Sequence, residues 1–258
     1  MAGQRSESIV ALKIEPDGTH RRPDDLVIEE PLSIELDGVT ICSTMRTPGH
    51  DFELSAGFLW AEGAIDKDSL ASIRYCAGDF NKVKVTTRNN NRTIQPRIGT
   101  VTSACGACGV DAIEHLTQRL EPAGPYEPWD LSALAAMPEV MRPGQALFDV
   151  TGAVHGAAAI SRDGEALVVR EDIGRHNAAD KVTGRLFLDG FRPDSDLALV
   201  TSGRASFEMV QKAWAGGFTA LVAVSGVSRL AVDTARRAGL TLVGFARNGS
   251  GTCYSPIL

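Results

Sequence analysis

Apolar and polar residues alternate along the first third of the chain in the way typical of half-buried β-strands. Two alternating runs, 26–36 and 39–42, are separated by Asp37-Gly38. Because Asp-Gly readily adopts the positive backbone angles of a tight turn, the pattern predicts a β-hairpin. The other elements expected in this half are a helix at 53–60 and strands at 73–76 and 82–87. The polar segment 1–24 is expected to be a flexible N-terminus.

A different pattern follows the segment 121–130, whose prolines and glycine predict a linker. After a second hairpin at 157–170, short apolar strands alternate with helices. The strands are expected at 197–200, 220–224 and 242–245, and the helices at 177–188, 207–215 and 229–238. This alternation predicts an α/β fold: a three-layer domain over 131–258 with a largely parallel sheet, behind a small β-rich α+β domain over 25–120.

Composition narrows the setting of the protein. The 258 residues are 43% hydrophobic and 22% charged, as in an ordinary globular protein. The net charge of −6 gives no reason to expect nucleic acid as a partner, because phosphate binding needs an excess of lysine and arginine. The N-terminus lacks the apolar core of a signal peptide, and no stretch approaches the ~18 apolar residues of a membrane-spanning helix. We expect a cytoplasmic protein without a membrane partner.

Cys105 and Cys108 lie two residues apart in the run Cys-Gly-Ala-Cys-Gly. Their small neighbours leave the sulfur atoms accessible. A helix expected at 110–120 begins directly afterwards, and its N-terminus can lower the pKa of a thiol. The spacing therefore indicates sulfur chemistry.

Four uses of this cysteine pair are compatible with its spacing. A zinc site would need a second pair, whereas Cys42, Cys76 and Cys253 are isolated. A thioredoxin-like redox pair is expected after the first strand of a βαβ unit, and this pair follows a β-rich region at mid-chain. Structural cysteines packed in a glycine turn are a third possibility. We favour nucleophilic thiols that accept, carry or exchange sulfur, and expect no metal ligands.

Ionisable side chains are concentrated between 169 and 181, at a strand-to-helix junction. Asp172, His176 and Asp180 are four residues apart, so they share one side of the helix if Asp172 caps it. A histidine between two carboxylates would be held charged or oriented. An ordinary capped helix with i,i+4 pairs has the same spacing. The density of charge favours a binding site that includes Asp172, Arg175 and His176, with His155 from a nearby small-residue loop as a weaker candidate.

Two further segments follow apolar strands and combine glycine, hydroxyl and arginine side chains. They are Thr201-Ser202-Gly203-Arg204 and Phe245-Ala246-Arg247-Asn248-Gly249-Ser250. Free backbone N–H groups and arginine suit phosphate. Since ligands of open α/β sheets bind at the carboxyl ends of the strands, the two loops predict a phosphate-bearing ligand such as a nucleotide.

Several of these segments together resemble the FdhD/NarQ family of sulfur carriers required for formate dehydrogenase activity. The resemblance runs from about Leu32 to the end of the chain. It rests on the motifs at 46–65, 105–109, 148–158, 169–184, 199–214 and 243–250.

The resemblance implies a more specific function than the residues alone. Members of this family act as sulfurtransferases that take persulfide sulfur from a cysteine desulfurase. They pass it to a molybdenum or tungsten bis-guanine-dinucleotide cofactor, which formate dehydrogenase receives. Cys105 matches the persulfide-bearing cysteine and Cys108 its partner, while 245–250 matches the segment that contacts the dinucleotide. GDP-like nucleotides are then expected to bind as ligand fragments, and a homodimer is expected.

The family's C-terminal domain is similar to the cytidine deaminase fold. Deamination is not expected, because the HxE and PCxxC zinc signature of deaminases is missing from this chain. The rival hypothesis is a chaperone that binds the cofactor and the apo-dehydrogenase without carrying sulfur. The sequence leaves open which metal is bound and how the two cysteines divide the work.

Overall fold

The computed structural model describes residues 4–88, 100–101, 120–124, 126–191 and 196–256. The elements of the first half are β1 (Ser6–Glu15), β2 (Gly18–Val27), β3 (Glu30–Leu36), β4 (Val39–Arg46), α1 (Asp51–Ala61), β5 (Leu70–Cys76), β6 (Asp79–Thr87) and β7 (Thr100–Val101). Those of the second half are α2 (Leu131–Met141), a 3-10 turn (Arg142–Gly144), α3 (Ala146–Thr151), β8 (His155–Ser161), β9 (Ala166–Asp172), α4 (Arg175–Leu188), β10 (Leu197–Thr201), α5 (Phe207–Ala215), β11 (Ala220–Ala223), α6 (Arg229–Ala238), β12 (Thr241–Arg247) and β13 (Ser250–Ser255).

The chain begins with a hairpin, β1–β2, and this corrects the prediction of a flexible segment over 1–24. The two strands pair antiparallel from Ser6↔Val27 to Glu15↔Gly18. The overall polarity of the segment concealed the signal, which is the apolar run 9–12 in β1 followed by a turn that ends in Asp17-Gly18.

A five-stranded sheet in the order β5-β6-β3-β4-β7 follows, with α1 packed on it. The predicted hairpin at Asp37-Gly38 is confirmed, with φ values of 47° and 84° at the two turn residues. The apolar side of α1 buries Leu54, Phe58 and Leu59 against strand residues such as Ile34.

A six-stranded sheet in the order β13-β12-β11-β10-β8-β9 forms the second half. Only β10, β11 and β12 are mutually parallel, while β8, β9 and β13 run antiparallel to their neighbours. The α/β class is confirmed, but a largely parallel sheet is wrong, because hairpins supply both edges. The likeness to the cytidine deaminase fold stays a prediction.

Helices cover both faces of this sheet. Residues of α2 such as Leu134 and Met137 pack on one face, and α4, α5 and α6 pack on the other through residues such as Val182, Met209 and Ala235. The sequence pattern predicts no element at 131–151, where α2 and α3 lie, because Pro138 inside α2 obscures its helical pattern.

The two sheets are joined by close packing of α1 against α4. A Cβ placed on Gly57 would lie 1.9 Å from the Asp180 carbonyl oxygen, and one on Gly184 would lie 1.8 Å from that of Glu53. Only glycine allows backbones to approach so closely. The two helices therefore hold the two halves of the chain in a fixed relation.

The segment predicted as a linker is irregular, but it is fastened to the second half. The Glu121 carbonyl accepts a hydrogen bond from Trp214 Nε1 (2.6 Å), and Ala123 N donates to the Ala238 carbonyl (2.8 Å). No helix in the described part of the chain is long and apolar enough to cross a membrane.

Candidate functional site

The loops that carry the predicted site residues meet at one edge of the six-stranded sheet. The parallel strands β10, β11 and β12 all end there. Because β8 runs antiparallel to β10, and β9 to β8, the same edge receives the start of β8 at His155 and the end of β9 at Asp172. We call this the carboxyl edge.

A loop that sequence analysis missed connects the two predicted phosphate segments. Ala205 N donates to the Gly226 carbonyl (3.1 Å), and Phe245 N donates to the Ser225 carbonyl (3.0 Å). The loop after β11 thus lies between the segments that follow β10 and end β12. Its signal was the Ser-Gly pair directly after an apolar strand.

His155 and Ser202 form a hydrogen-bonded pair at the carboxyl edge. His155 Nδ1 lies 3.1 Å from Ser202 Oγ, which accepts a hydrogen bond from Gly156 N (3.0 Å). Burial lowers the pKa of His155, the Arg175 and Arg204 charges lower it further, and Asp172 opposes them. The imidazole is therefore neutral at pH 7, and the Ser202 hydroxyl is free to donate to Nδ1.

Arg175 and Arg204 bring two positive charges to the same place. Arg175 begins α4 and packs on Gly203, where an added Cβ would lie 3.0 Å from Arg175 Cδ. Burial, and next the charge of Arg204, lower the pKa of Arg175, and the charge of Glu208 acts in the opposite direction. Arg175 Nε is buried without a hydrogen-bond partner. Within the described residues no carboxylate forms an ion pair with either arginine, so both are available to an anion. We call His155, Arg175 and Arg204 the edge cluster.

The segment from Phe245 to Ser250 differs from the prediction of a loop after the last strand. Phe245, Ala246 and Arg247 end β12, Asn248-Gly249 is a hairpin turn with φ values of 50° and 72°, and Ser250 begins β13, a strand that sequence analysis missed. Both positive angles are those of a two-residue turn with an Asn-Gly sequence. The N–H of Asn248 already donates to Glu139 Oε1 (2.8 Å), so it is not free for phosphate.

Phe245 has an unusual backbone conformation, with a positive φ angle. It adopts a φ of 54°, its side chain is 56% exposed, and its ring lies over Gly226. A bulky residue with positive φ is strained, and strain of this kind is concentrated at functional sites. Arg247, two residues further on, is exposed.

The predicted arrangement of Asp172, His176 and Asp180 along one side of a helix is wrong. Gly174, not Asp172, is the N-cap of α4, and no side chain caps it. Each of the three residues has a different partner. Asp172 pairs with Lys181 (2.7 Å), Asp180 pairs with Lys212 (2.7 Å), and His176 Nε2 lies 3.1 Å from a carboxylate oxygen of Glu208.

Asp172 is fully buried, so it supports the carboxyl edge from within. Its carboxylate accepts hydrogen bonds from Gly174 N (2.8 Å) and Thr47 N (3.1 Å). Lys181 Nζ also donates to the Thr47 carbonyl (2.9 Å). These contacts fasten the loop after β4 to the junction of β9 and α4. The roles of Thr47 and Lys181 were not predicted from the sequence, although they lie in the motifs 46–65 and 169–184.

Cys105 and Cys108 lie outside the described residues. The described chain approaches them through β7, which pairs parallel to β4 with Thr44 opposite Val101. At Val101 the chain therefore runs in the same direction as β4, which leads to Thr47. Val101 lies four residues before Cys105. Of the described cysteines, Cys42 is buried, and Cys76 and Cys253 are half-buried.

Comparison with known proteins gives one consistent result. The model of the FdhD/NarQ family matches residues 27–257. A protein named sulfur carrier protein FdhD from Corynebacterium efficiens is 44% identical to this chain, and the match covers 91% of this chain and 90% of the relative. A protein of the same name from Streptomyces avermitilis is 42% identical, and the match covers 98% of this chain and 95% of the relative.

A solved structure agrees with the sequence relatives. The crystal structure of a protein described as a formate dehydrogenase accessory protein from Desulfotalea psychrophila superposes with a TM-score of 0.79. It is 25% identical in sequence, and the match covers 98% of both chains. The family match spans both the five-stranded and the six-stranded sheet, so this chain belongs to the FdhD/NarQ family.

Proposed function

We propose that this protein is a sulfur carrier for formate dehydrogenase. It receives persulfide sulfur from a cysteine desulfurase and delivers it to the molybdenum or tungsten bis-guanine-dinucleotide cofactor that the dehydrogenase needs. The names of the relatives support the sulfur-carrier role. The observation that carries the cofactor part is the edge cluster, in which neither Arg175 nor Arg204 forms an ion pair with a described residue and Arg175 Nε is buried without a hydrogen-bond partner.

The chemistry of the carboxyl edge suits a dinucleotide. Guanidinium groups bind phosphate through paired, charge-assisted hydrogen bonds, so Arg175 and Arg204 are suited to the pyrophosphate. Phe245 offers an exposed aromatic face to a guanine base, and Arg247 offers a further charge at the end of the same strand. The Ser202 backbone and hydroxyl are committed to Gly156 and His155, so Ser202 holds the loop rather than the ligand.

The sulfur is carried on Cys105. The Cys105 thiolate attacks the outer sulfur of the desulfurase persulfide, the sulfur–sulfur bond of the donor breaks, and the desulfurase thiolate leaves. No electrons are gained or lost overall, since one persulfide replaces another. Cys108 could then hold a mixed intermediate, release the sulfur by forming a disulfide with Cys105, or shape the loop.

Intact-mass measurement after treatment with cysteine desulfurase and cysteine tests this proposal. We expect one added sulfur atom, removed by reductant and lost in Cys105→Ala, while Cys253→Ala, a matched change at a free thiol far along the chain, keeps it. Cys105→Ala should abolish dehydrogenase maturation and Cys108→Ser should reduce it severely. Full maturation by Cys105→Ala would instead favour a cofactor-binding chaperone that carries no sulfur.

Calorimetry with GDP tests the nucleotide part separately. We expect GDP to bind without being hydrolysed. Loss of one charge-assisted contact in Arg247→Ala should cost roughly 1.5–3 kcal/mol of binding free energy. Arg237→Ala removes another exposed arginine, at the end of α6 and away from β12, and should leave the affinity unchanged. If the parent and both variants bind GDP with equal affinity, the nucleotide does not bind at the end of β12.

A further inference from the structure

A cleft at one end of the five-stranded sheet takes no part in the function proposed above. It lies where β3 and β6 begin and β4 and β5 end, and its volume is about 500 Å³. Ligand sites commonly have volumes of ~300–1,000 Å³. The charged and aromatic residues that line it are Glu30, Arg46, Asp51, Tyr75, Asp79 and Phe80. We call this space the Phe80 cleft.

The guanidinium group in the wall of the Phe80 cleft is neutralised within the protein. Arg46 is 1% exposed. Its Nε and Nη2 donate to the two carboxylate oxygens of Asp51 (3.0 Å each), and its Nη1 donates to Glu30 Oε2 (3.1 Å). With Asp79 included, the described lining residues carry three carboxylates against one guanidinium. The Phe80 cleft therefore attracts cations rather than anions.

Two further cations lie close to the Phe80 cleft, but both bond to residues outside it. Lys82, whose pKa the charge of Asp79 helps to raise, forms an ion pair with Glu35, from which Nζ is 2.7 Å away. Arg5 Cδ would lie 4.0 Å from a Cβ placed on Gly49, and Arg5 Nη2 donates to the Glu171 carbonyl (3.3 Å). Neither Glu35 nor Glu171 lines the cleft, so the excess of carboxylates there is available to a ligand.

An aromatic ring stands beside these carboxylates. Phe80 is 56% exposed, and its ring meets that of Tyr75 at a centroid distance of 5.3 Å and an angle of 75°. Tyr75 is itself fixed, because its ring packs on Phe52 (4.6 Å) and its hydroxyl donates to Asp51 Oδ2 (3.1 Å). The Phe80 ring is thus held in place by its neighbours while more than half of it faces solvent. An aromatic face attracts a cation, most strongly where a carboxylate also pairs with that cation.

We propose that the Phe80 cleft binds the guanidinium group of an arginine side chain on a partner polypeptide. The planar guanidinium stacks on the Phe80 ring and donates to the carboxylates of Asp79 and Glu30. In the described contacts Asp79 uses Oδ1 to accept from Asn81 N (2.9 Å) and Glu30 uses Oε2 for Arg46, so each carboxylate has a second oxygen for the ligand. An ammonium group fits less well, since it is not planar and cannot stack on the ring in this way.

The charge of the cleft favours arginine within a polypeptide over the free amino acid. Free arginine also carries a carboxylate, which the carboxylates of the lining repel, whereas an arginine inside a polypeptide has none. Pro48 and Gly49 border the cleft, and in the same loop Thr47 N donates to Asp172 at the carboxyl edge (3.1 Å). A polypeptide held in the cleft therefore lies beside a loop that is fastened to the carboxyl edge. This inference does not depend on sulfur transfer.

Titration of the isotope-labelled full chain, followed by NMR, tests the ligand class. N-acetylarginine N-methylamide, which has no charge besides its guanidinium, should shift the backbone amide signals of Gly78 and Asn81 in a saturable way, with a millimolar dissociation constant. N-acetylcitrulline N-methylamide has nearly the same shape without the charge and should not bind. N-acetyllysine N-methylamide and free arginine should bind more weakly than the first probe. Equal binding of the citrulline probe would overturn the proposal, and equal binding of free arginine would overturn the polypeptide as its source.

Matched variants test the position of the site. Phe80→Leu keeps an apolar side chain without an aromatic face, and Asp79→Asn keeps the acceptor for Asn81 N without the charge. Each should weaken binding of the arginine probe roughly 2- to 5-fold. Phe148→Leu, at a partly exposed phenylalanine of α3, and Asp163→Asn, at the exposed tip of the β8–β9 hairpin, should leave it unchanged. Urea denaturation should show that all four variants fold as the parent does. Absence of saturable shifts in the parent, or equal affinity in the parent and both cleft variants, would overturn the proposal.

Discussion

Helix α4 carries two cations with opposite surroundings: one forms a buried ion pair, and the other forms no ion pair with a described residue. Lys181 is fully buried, lies 2.7 Å from the Asp172 carboxylate and also donates to the Thr47 carbonyl. Arg175, fewer than two turns earlier, has a buried Nε without a partner and lies near a second cation, Arg204. The first charge is neutralised inside the protein, and the second is left without an ion-pair partner among the described residues.

The difference separates charges that position the site from charges that face a ligand. Burying an ion pair contributes little net stability, but removing one partner leaves an uncompensated charge, so the pair fixes the geometry of its neighbours. Two arginines near each other repel and lower the stability of the folded state. Such a loss of stability is expected where the unpaired charge binds a ligand. Lys212, paired with Asp180 beneath the same helix, follows the pattern of Lys181.

The largest effect is expected from breaking the buried pair. Lys181→Met keeps the length of the side chain but leaves Asp172 charged and buried, so the free energy of unfolding should fall by about 3–5 kcal/mol. Urea denaturation measures this. Arg229→Met breaks an exposed pair with Asp233 and should leave the stability unchanged. Equal effects of the two variants would show that burial does not distinguish the two kinds of cation.

Removing a cation of the edge cluster should instead weaken ligand binding without lowering the free energy of unfolding. Arg204→Ala should weaken GDP binding by roughly 1.5–3 kcal/mol, the value of a hydrogen bond to a charged group. Its free energy of unfolding should stay equal to the parent's or rise, because the repulsion of Arg175 is relieved. Calorimetry and urea denaturation on the same sample give both values. A variant that binds GDP normally but is destabilised would place Arg204 with the structural charges.

The sequence predicted what local patterns determine. Asp37-Gly38 specified a turn, and apolar runs such as 197–200 specified buried strands, because turn chemistry and periodicity act over a few residues. The common edge of the loops after β10 and β12 followed from the rule for parallel strands.

Long-range pairing could not be predicted in this way. The spacing of Asp172, His176 and Asp180 suggested one cluster, but their partners Lys181, Lys212 and Glu208 are set by how α4 packs on its neighbours. The backbone contact of Gly57 with α4 likewise has no signal in either helix alone. Sequence periodicity shows which face is buried, and not which charges meet there.

Glu53 forms an ion pair with Arg170 away from the carboxyl edge, and its contribution to stability should depend on pH. Burial alone would raise the pKa of Glu53, but hydrogen bonds and charge from Arg170, and then from His50, lower it to about 2. The folded-state pKa lies below the unfolded value of 4.5, so this stability is complete above pH 4.5 and is lost as the pH falls towards 2. After solvent screening we expect a loss on the order of 1–2 kcal/mol. Glu53→Gln should remove this part of the acid dependence of urea denaturation, and an unchanged profile would contradict it.

The smallest effect should appear at His155, the imidazole of the edge cluster. Its pKa is lowered by burial and by Arg175 and Arg204, with Asp172 acting in the opposite direction. A phosphate bound to the arginines would offset their charge and raise the pKa of His155, so binding should take up a proton. GDP affinity should then fall as the pH rises through the window between the free and bound pKa values, by about tenfold or less. Calorimetry in buffers of different ionisation enthalpy measures the proton directly, and His155→Asn should abolish its uptake. Uptake that persists in the variant would assign the proton to another group, and no uptake in the parent would separate His155 from the phosphate site.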